Sequence, residues 1–317
     1  MKKISIITLI VAMLIITACS GGNNQTEIST TYIGGSEGIK LEFAPDAPPA
    51  QTADNQQQSF DIAVQLTNKG EADVEPEDAL VTIKGFLPEA FGKSKADLEI
   101  NPEEKMERRI RTPEGSIIEP PYVEAIVENL EYQSSEPGNI QLPIRAELCY
   151  LYETNIATKL CIKEDMLKQE EDDICKINDN RAFSSSGAPV QVTKVSQSGA
   201  GREKTRFTFT VANVNTGKVY RDHTSCAPSS TDDNKVFVEI VNLEGADVTC
   251  TGLQGGSEST GYITLTGGTP RDVTCTATFA EDQRTDRLQN FGIRLMYNYK
   301  EYIEQNIEIV YTPEDGE

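Results

Sequence analysis

The feature that most constrains this chain is that it repeats itself. The segment from Phe291 to Ile309 aligns with that from Ile144 to Ile162 at a constant offset of 147. Leu295, Tyr297 and Tyr299 then fall on Leu148, Tyr150 and Tyr152, and Ile307 and Ile309 fall on Leu160 and Ile162. At the same offset Phe207, Phe209 and Val211 fall on Phe60, Ile62 and Val64, and the turn Asn215-Thr216-Gly217 falls on Asn68-Lys69-Gly70. Two separate patches sharing one offset mark a tandem duplication, in which both copies build the same architecture.

Hydrophobic periodicity says which architecture. Phe60, Ile62, Val64 and Leu66 alternate with Asp61, Ala63 and Gln65 and run into a turn, as a half-buried strand does. Residues 39–43, 80–83 and 122–132 read as further strands of the first copy. The second copy reads as strands at 190–195, 206–213, 236–241, 246–251, 262–266, 272–279, 291–299 and 305–311. Strands of this length and spacing predict an all-β fold of two tandem β-sandwiches. The first occupies residues 39–163 and the second 188–313, joined by a linker at 164–187 and followed by an acidic tail at 314–317. Residues 87–121 contain five prolines and read as a long loop with one short helix near 103–109. A second short, acidic helix is expected over 164–173.

Cysteines add a covalent frame. The seven are 19, 149, 161, 175, 226, 250 and 275. Folding residues 143–162 about a turn at Asn155 sets Leu148 opposite Ile162, Tyr150 opposite Leu160 and Cys149 opposite Cys161. Cys149–Cys161 is therefore the expected bridge, with Cys161–Cys175 as its rival. At the aligned positions the second copy has Met296 and Glu308, both cysteines being absent together. Cys250 and Cys275 share the strand contexts Asp-Val-Thr-Cys, while Cys175 and Cys226 lie in loop-like sequence, which pairs Cys250 with Cys275 and Cys175 with Cys226. Parity and context do not by themselves fix connectivity.

The amino terminus says where such bridges would form. Lys2 and Lys3 precede an apolar run from Ile4 to Ile16, and Ile16-Thr17-Ala18-Cys19 closes it with small residues. This is the pattern of a secretory signal peptide over residues 1–18, and the run is short for a membrane-spanning helix. Ile16–Cys19 resembles the lipobox of prokaryotic lipoproteins, bacterial or archaeal. The resemblance implies cleavage before Cys19, a lipid on its sulfur, and a flexible lipidated tether over residues 19–38. With Cys19 committed to lipid, six cysteines remain, an even set that suits an oxidising compartment. The alternation of residues 60–66 ahead of Asn68-Lys69-Gly70 is similar to the immunoglobulin-like, adhesion-related extracellular repeats of prokaryotic surface proteins. That resemblance implies that both sandwiches are immunoglobulin-like.

The chain offers little chemistry. Its only histidine, His223, sits in Asp222-His223-Thr224-Ser225, too local for a charge-relay triad and consistent with a surface loop. His223, Cys226, Cys250 and Cys275 could in principle hold zinc but lack the close spacing of zinc motifs. The acidic runs match no twelve-residue calcium loop, so the expectation is no metal and no cofactor, the alternative being calcium between the two copies with 170–173 as contributor. Glycines at 252–261 are not followed by the lysine of a phosphate loop. A net charge of −21, or −23 once Lys2 and Lys3 are removed, argues against nucleic acid as a partner. The expectation is a non-enzymatic, membrane-anchored cell-surface lipoprotein with a structural, adhesive or protein-binding role toward an envelope or extracellular protein. The alternative is a ligand-capture lipoprotein serving a transporter or secretion machine, with the cleft between the copies as its site.

Overall fold

The computed structural model describes residues 32–170, 173–229 and 231–313. The expected signal peptide, Cys19, most of the expected tether and the expected acidic tail lie outside the described residues.

Alternating sequence becomes strand throughout. The first half contains β1 (Ile39–Phe43), β2 (Gln51–Ala53), β3 (Ser59–Asn68), β4 (Ala79–Lys84) and β5 (Glu99–Ile100). It continues with β6 (Ile110–Arg111), β7 (Ile117–Ile118), β8 (Val123–Glu131) and β9 (Ile140–Ile162). In the second half follow β10 (Asp179–Asn180), β11 (Phe183–Ser185), β12 (Val190–Gly199), β13 (Lys204–Asn213) and β14 (Lys218–Tyr220). The chain ends with β15 (Lys235–Val241), β16 (Ala246–Thr251), β17 (Thr260–Thr264), β18 (Arg271–Phe279) and β19 (Arg287–Val310). The fold is all-β and sandwich-like. A central sheet ordered β17-β15-β19-β9-β4-β5 is flanked by β1-β3-β8 in the first half and β10-β12-β13-β18-β16 in the second. One apolar core runs without a break from Ile39 to Ile309 through both halves.

Two departures from the sequence reading decide the architecture. First, there is no turn at Asn155. β9 is one strand of 23 residues and β19 one of 24, and they pair antiparallel from Arg287↔Ile162 to Ile309↔Ile140. Residues 159–162 and 305–310, expected to fold back within their own copies, instead extend along the other half. The reason lies on the inward face, where Tyr152, Thr154, Ile156, Thr158, Leu160 and Ile162 are all buried. Period two therefore never breaks at Asn155. The inward threonines look polar in sequence but are satisfied locally, Thr154 Oγ1 donating to the Val190 carbonyl (2.7 Å) and Thr158 Oγ1 to that of Ala182 (2.8 Å). Leu151 lies opposite Asn298, its own equivalent at the offset of 147, so a local two-fold axis passes between them.

Second, the early strands align at an offset of 145 rather than 147. Asn68 and Asn213 make the same bonds. Each Nδ2 donates to the carbonyl four residues on, Ala72 (2.7 Å) and Gly217 (2.8 Å). Each Oδ1 accepts from the amide two residues on, Gly70 (3.0 Å) and Asn215 (3.3 Å). Each also accepts a tyrosine hydroxyl, Tyr152 (3.1 Å) and Tyr299 (3.3 Å). Thus Asn213, not Asn215, is the counterpart of Asn68. A slip of two residues preserves the alternation, which is why period alone did not detect it.

Among the described residues neither expected helix is formed. Around 103–109 the chain is extended, Met106 bridging to Val74 and packing in the core, while Lys105 pairs with Asp73 and Glu75. The helical turns of the loop are instead Pro88–Phe91 and Ala96–Leu98. Residues 164–167 form a bend and a turn, and 168–170 are irregular. Within the expected linker, β11 pairs with β9.

Cysteine pairing follows from the straightened strands. Cys149 and Cys161 lie on one strand, about 40 Å apart at strand rise, and cannot bond. Cys149 pairs with Cys226 and Cys161 with Cys175, replacing the expected Cys149–Cys161 and Cys175–Cys226. Cys226 lies beside the β9–β19 pair, where Lys300 Nζ donates to its carbonyl (3.0 Å). Cys250 and Cys275 are bonded to each other, directly opposite across β16 and β18.

Candidate interaction surface

The residues weighed for chemistry do not converge. His223 is exposed in a loop at φ 54°, and among the described residues no hydrogen bond joins it to Asp222 or Ser225. The three cysteines of the zinc set are all in disulfides, and no group of three metal-ligating side chains exists among the described residues. At the acidic run Asp173 is paired with Lys163, whose hydrogen bond holds its carboxyl below the usual range.

Within the apolar core a few polar groups are buried and paired with one another. Tyr150, Tyr152, Tyr297 and Tyr299 are all buried, and burial pushes each phenol up. Tyr150 and Tyr297 accept equivalent backbone amides, Ile39 N–H (3.1 Å) and Val190 N–H (3.2 Å). Their hydroxyls then part company. Tyr297 meets Thr154 Oγ1 at 3.0 Å, whereas Tyr150 donates to Glu301 Oε1 at 3.2 Å. Thr154 and Glu301 are themselves 147 apart, so a carboxylate breaks the internal symmetry here. Burial, with the Glu37 charge adding to it, pushes Glu301 up to about 7.

A second polar cluster holds the described end of the expected tether. Glu71 accepts the amides of Ile33 (2.8 Å), Gly34 (2.8 Å) and Gly187 (2.7 Å), and Arg109 donates to the Gly34 carbonyl (2.9 Å). Residues 33 and 34 are therefore docked on the body rather than free. Tyr32 borders an open depression of about 630 Å³ with Asn155, Lys159, Asn242 and Asn290.

The most distinctive surface is the flank of the first half. β8 is the last strand of its sheet, and a groove of about 740 Å³ runs between it and the segment 93–104. Val123, Ala125 and Val127 face the core, while Glu124, Ile126 and Glu128 face out, with Ile126 41% exposed. Asp97, Glu103 and Glu104 add to the acidic lining, against Lys93 as its one cation among the described residues. At Glu128 and Asn129 the strand bulges, Asn129 adopting φ 56° and donating its amide to Asp61 (2.8 Å), which ends the regular edge. Sequence alternation placed the strand. The signal for the surface was Ile126, an apolar residue within the outward row Glu124-Ile126-Glu128. Glu71 and Arg109 had no local signal, since their partners lie far along the chain.

A scan against protein-family models and a search of curated proteins return no match to this chain.

Proposed function

We propose that this protein is a non-enzymatic binding module held at the extracytoplasmic face of a prokaryotic membrane by a lipid on Cys19, with two immunoglobulin-like halves as its body. The observation that carries the reading is cysteine arithmetic. Six of seven cysteines are joined in three disulfides, leaving over only the one that follows Ile16-Thr17-Ala18. Disulfides at this density suit an exported chain. Among the described residues no group of three metal-ligating side chains comes together, whereas an open strand edge supplies a surface for a protein partner. The ligand-capture alternative gains no support from the geometry. Jaws that close need freedom between the halves, and here β9 and β19 run through both while Cys149–Cys226 ties them together.

The test is fractionation of cells making the full chain or its Cys19→Ser variant. The parent chain should partition with membranes into detergent, and the variant should not. A parent chain found in the cytosol, or a variant that stays equally membrane-bound, overturns the proposal.

A further inference from the structure

The two halves can be used to read each other at the flank. Asn68 and Asn213 equate β3 with β13, and their outer neighbours β8 and β18 are therefore equivalent. In the second half β18 is not the edge, because β16 pairs antiparallel along it from Ala246↔Phe279 to Thr251↔Thr274. In the first half no strand lies outside β8 among the described residues. The chain thus carries a filled and an unfilled version of one position.

The unfilled edge has bonds to offer. Ala63 of β3 directs both backbone groups toward β1, its carbonyl accepting from Ala44 (2.9 Å) and its amide donating to Ala47 (3.1 Å). Ile126, directly opposite Ala63, is therefore not bonded to it, and its own N–H and C=O point to the open side. By the alternation of an antiparallel ladder the same holds for Glu124. Four backbone groups stand ready before the bulge.

The filled edge states the form of the occupant, and the unfilled edge its charge. β16 alternates, with Ala246, Val248 and Cys250 turned inward and Asp247, Thr249 and Thr251 exposed. It lies against Thr274, Thr276 and Thr278 on the outer row of β18. On β8 the matching row is Glu124, Ile126 and Glu128, backed by Asp97, Glu103 and Glu104. Two β8 edges brought together would oppose glutamates, so a second copy is disfavoured.

We infer that the β8 edge between Val123 and Val127 is a β-augmentation site for an extended segment of a partner protein. That segment alternates apolar residues, turned toward the core, with lysine or arginine, turned toward the glutamate row. The inference deepens the binding-module reading and rests on it for its biological setting. Its test, made in solution, does not depend on the Cys19 lipid.

The probe is a fluorescent octapeptide of alternating lysine and valine, titrated against the disulfide-intact chain at low and moderate salt. Two control peptides are the same sequence N-methylated at alternate amides, which keeps the charge and removes strand pairing, and its glutamate–valine counterpart. The parent peptide should bind, bind less tightly as salt rises, and slow amide deuterium exchange across 123–127. N-methylation should weaken binding by about tenfold or more, and the acidic peptide should not bind. Ile126→Pro, which removes an outward donor without breaking the ladder to β3, should match the loss on N-methylation while the melting temperature holds. If the parent peptide does not bind, if N-methylation leaves affinity unchanged, or if exchange at 123–127 is unaltered, the inference fails. The N-methylated peptide decides the matter even if Ile126→Pro does not fold.

Discussion

Glu301 places a titratable charge where the internal repeat has a threonine, and that asymmetry has a measurable cost. Its carboxyl is raised from 4.5 to about 7, first by burial and then by Glu37, against the Tyr150 hydrogen bond that favours ionisation. The folded protein consequently keeps a proton that the unfolded chain releases above about pH 4.5. Stability from this group is intact below that pH and falls as pH rises through about 7. A shift of this size amounts to about 3 kcal/mol once the loss is complete. Glu301→Gln keeps the shape and an acceptor for the Tyr150 hydroxyl, and it removes the titration. Urea unfolding of both proteins from about pH 4.5 to 8 gives a difference curve in which other groups cancel. The variant should match the parent at the acid end and exceed it by up to about 3 kcal/mol at the alkaline end. A difference that is flat with pH would refute the reasoning.

The tyrosine–asparagine pairs give a comparison between the halves. Tyr299→Phe strips the Gly217 amide of a 2.7 Å bond, whereas Tyr152→Phe strips the Ala72 amide of one at 3.4 Å. Costs of about 2 and about 1 kcal/mol respectively are expected in urea melts, and neutrality of Tyr299→Phe would contradict the assignment. Replacing Cys149 and Cys226 together by alanine opens a loop of 77 residues, against 14 for Cys161 and Cys175. Chain entropy puts the two losses at about 4.5 and about 3 kcal/mol, so the longer loop should lower the urea midpoint further.

Much of the fold was legible because its strands are half buried. β1 runs over Ile39–Phe43 and β16 over Ala246–Thr251, the spans that alternation indicates. What misled was chemistry inside the pattern. Asn155 read as a turn, yet Thr154 and Thr158 on either side of it face inward and bond to carbonyls of residues 190 and 182. Those acceptors lie 36 and 24 positions away, beyond any local window. From that one misplaced turn came the wrong cysteine register. The β8 surface was half legible. Its alternation located the strand, but whether a neighbour covers an edge depends on the rest of the chain, and only comparison with β16 exposes the gap.

The long paired strands make the most direct demand on the cysteines. Trypsin cuts between the members of every candidate pair, at Lys159, Lys163, Lys176 and Arg271 among other sites, so non-reducing peptide mapping of the native protein reads the connectivity outright. Interlocked halves require the Cys149 peptide to be joined to the Cys226 peptide, with Cys161 joined to Cys175. A Cys149–Cys161 linkage would mean that the chain folds back at Asn155 and that each half keeps its own strands.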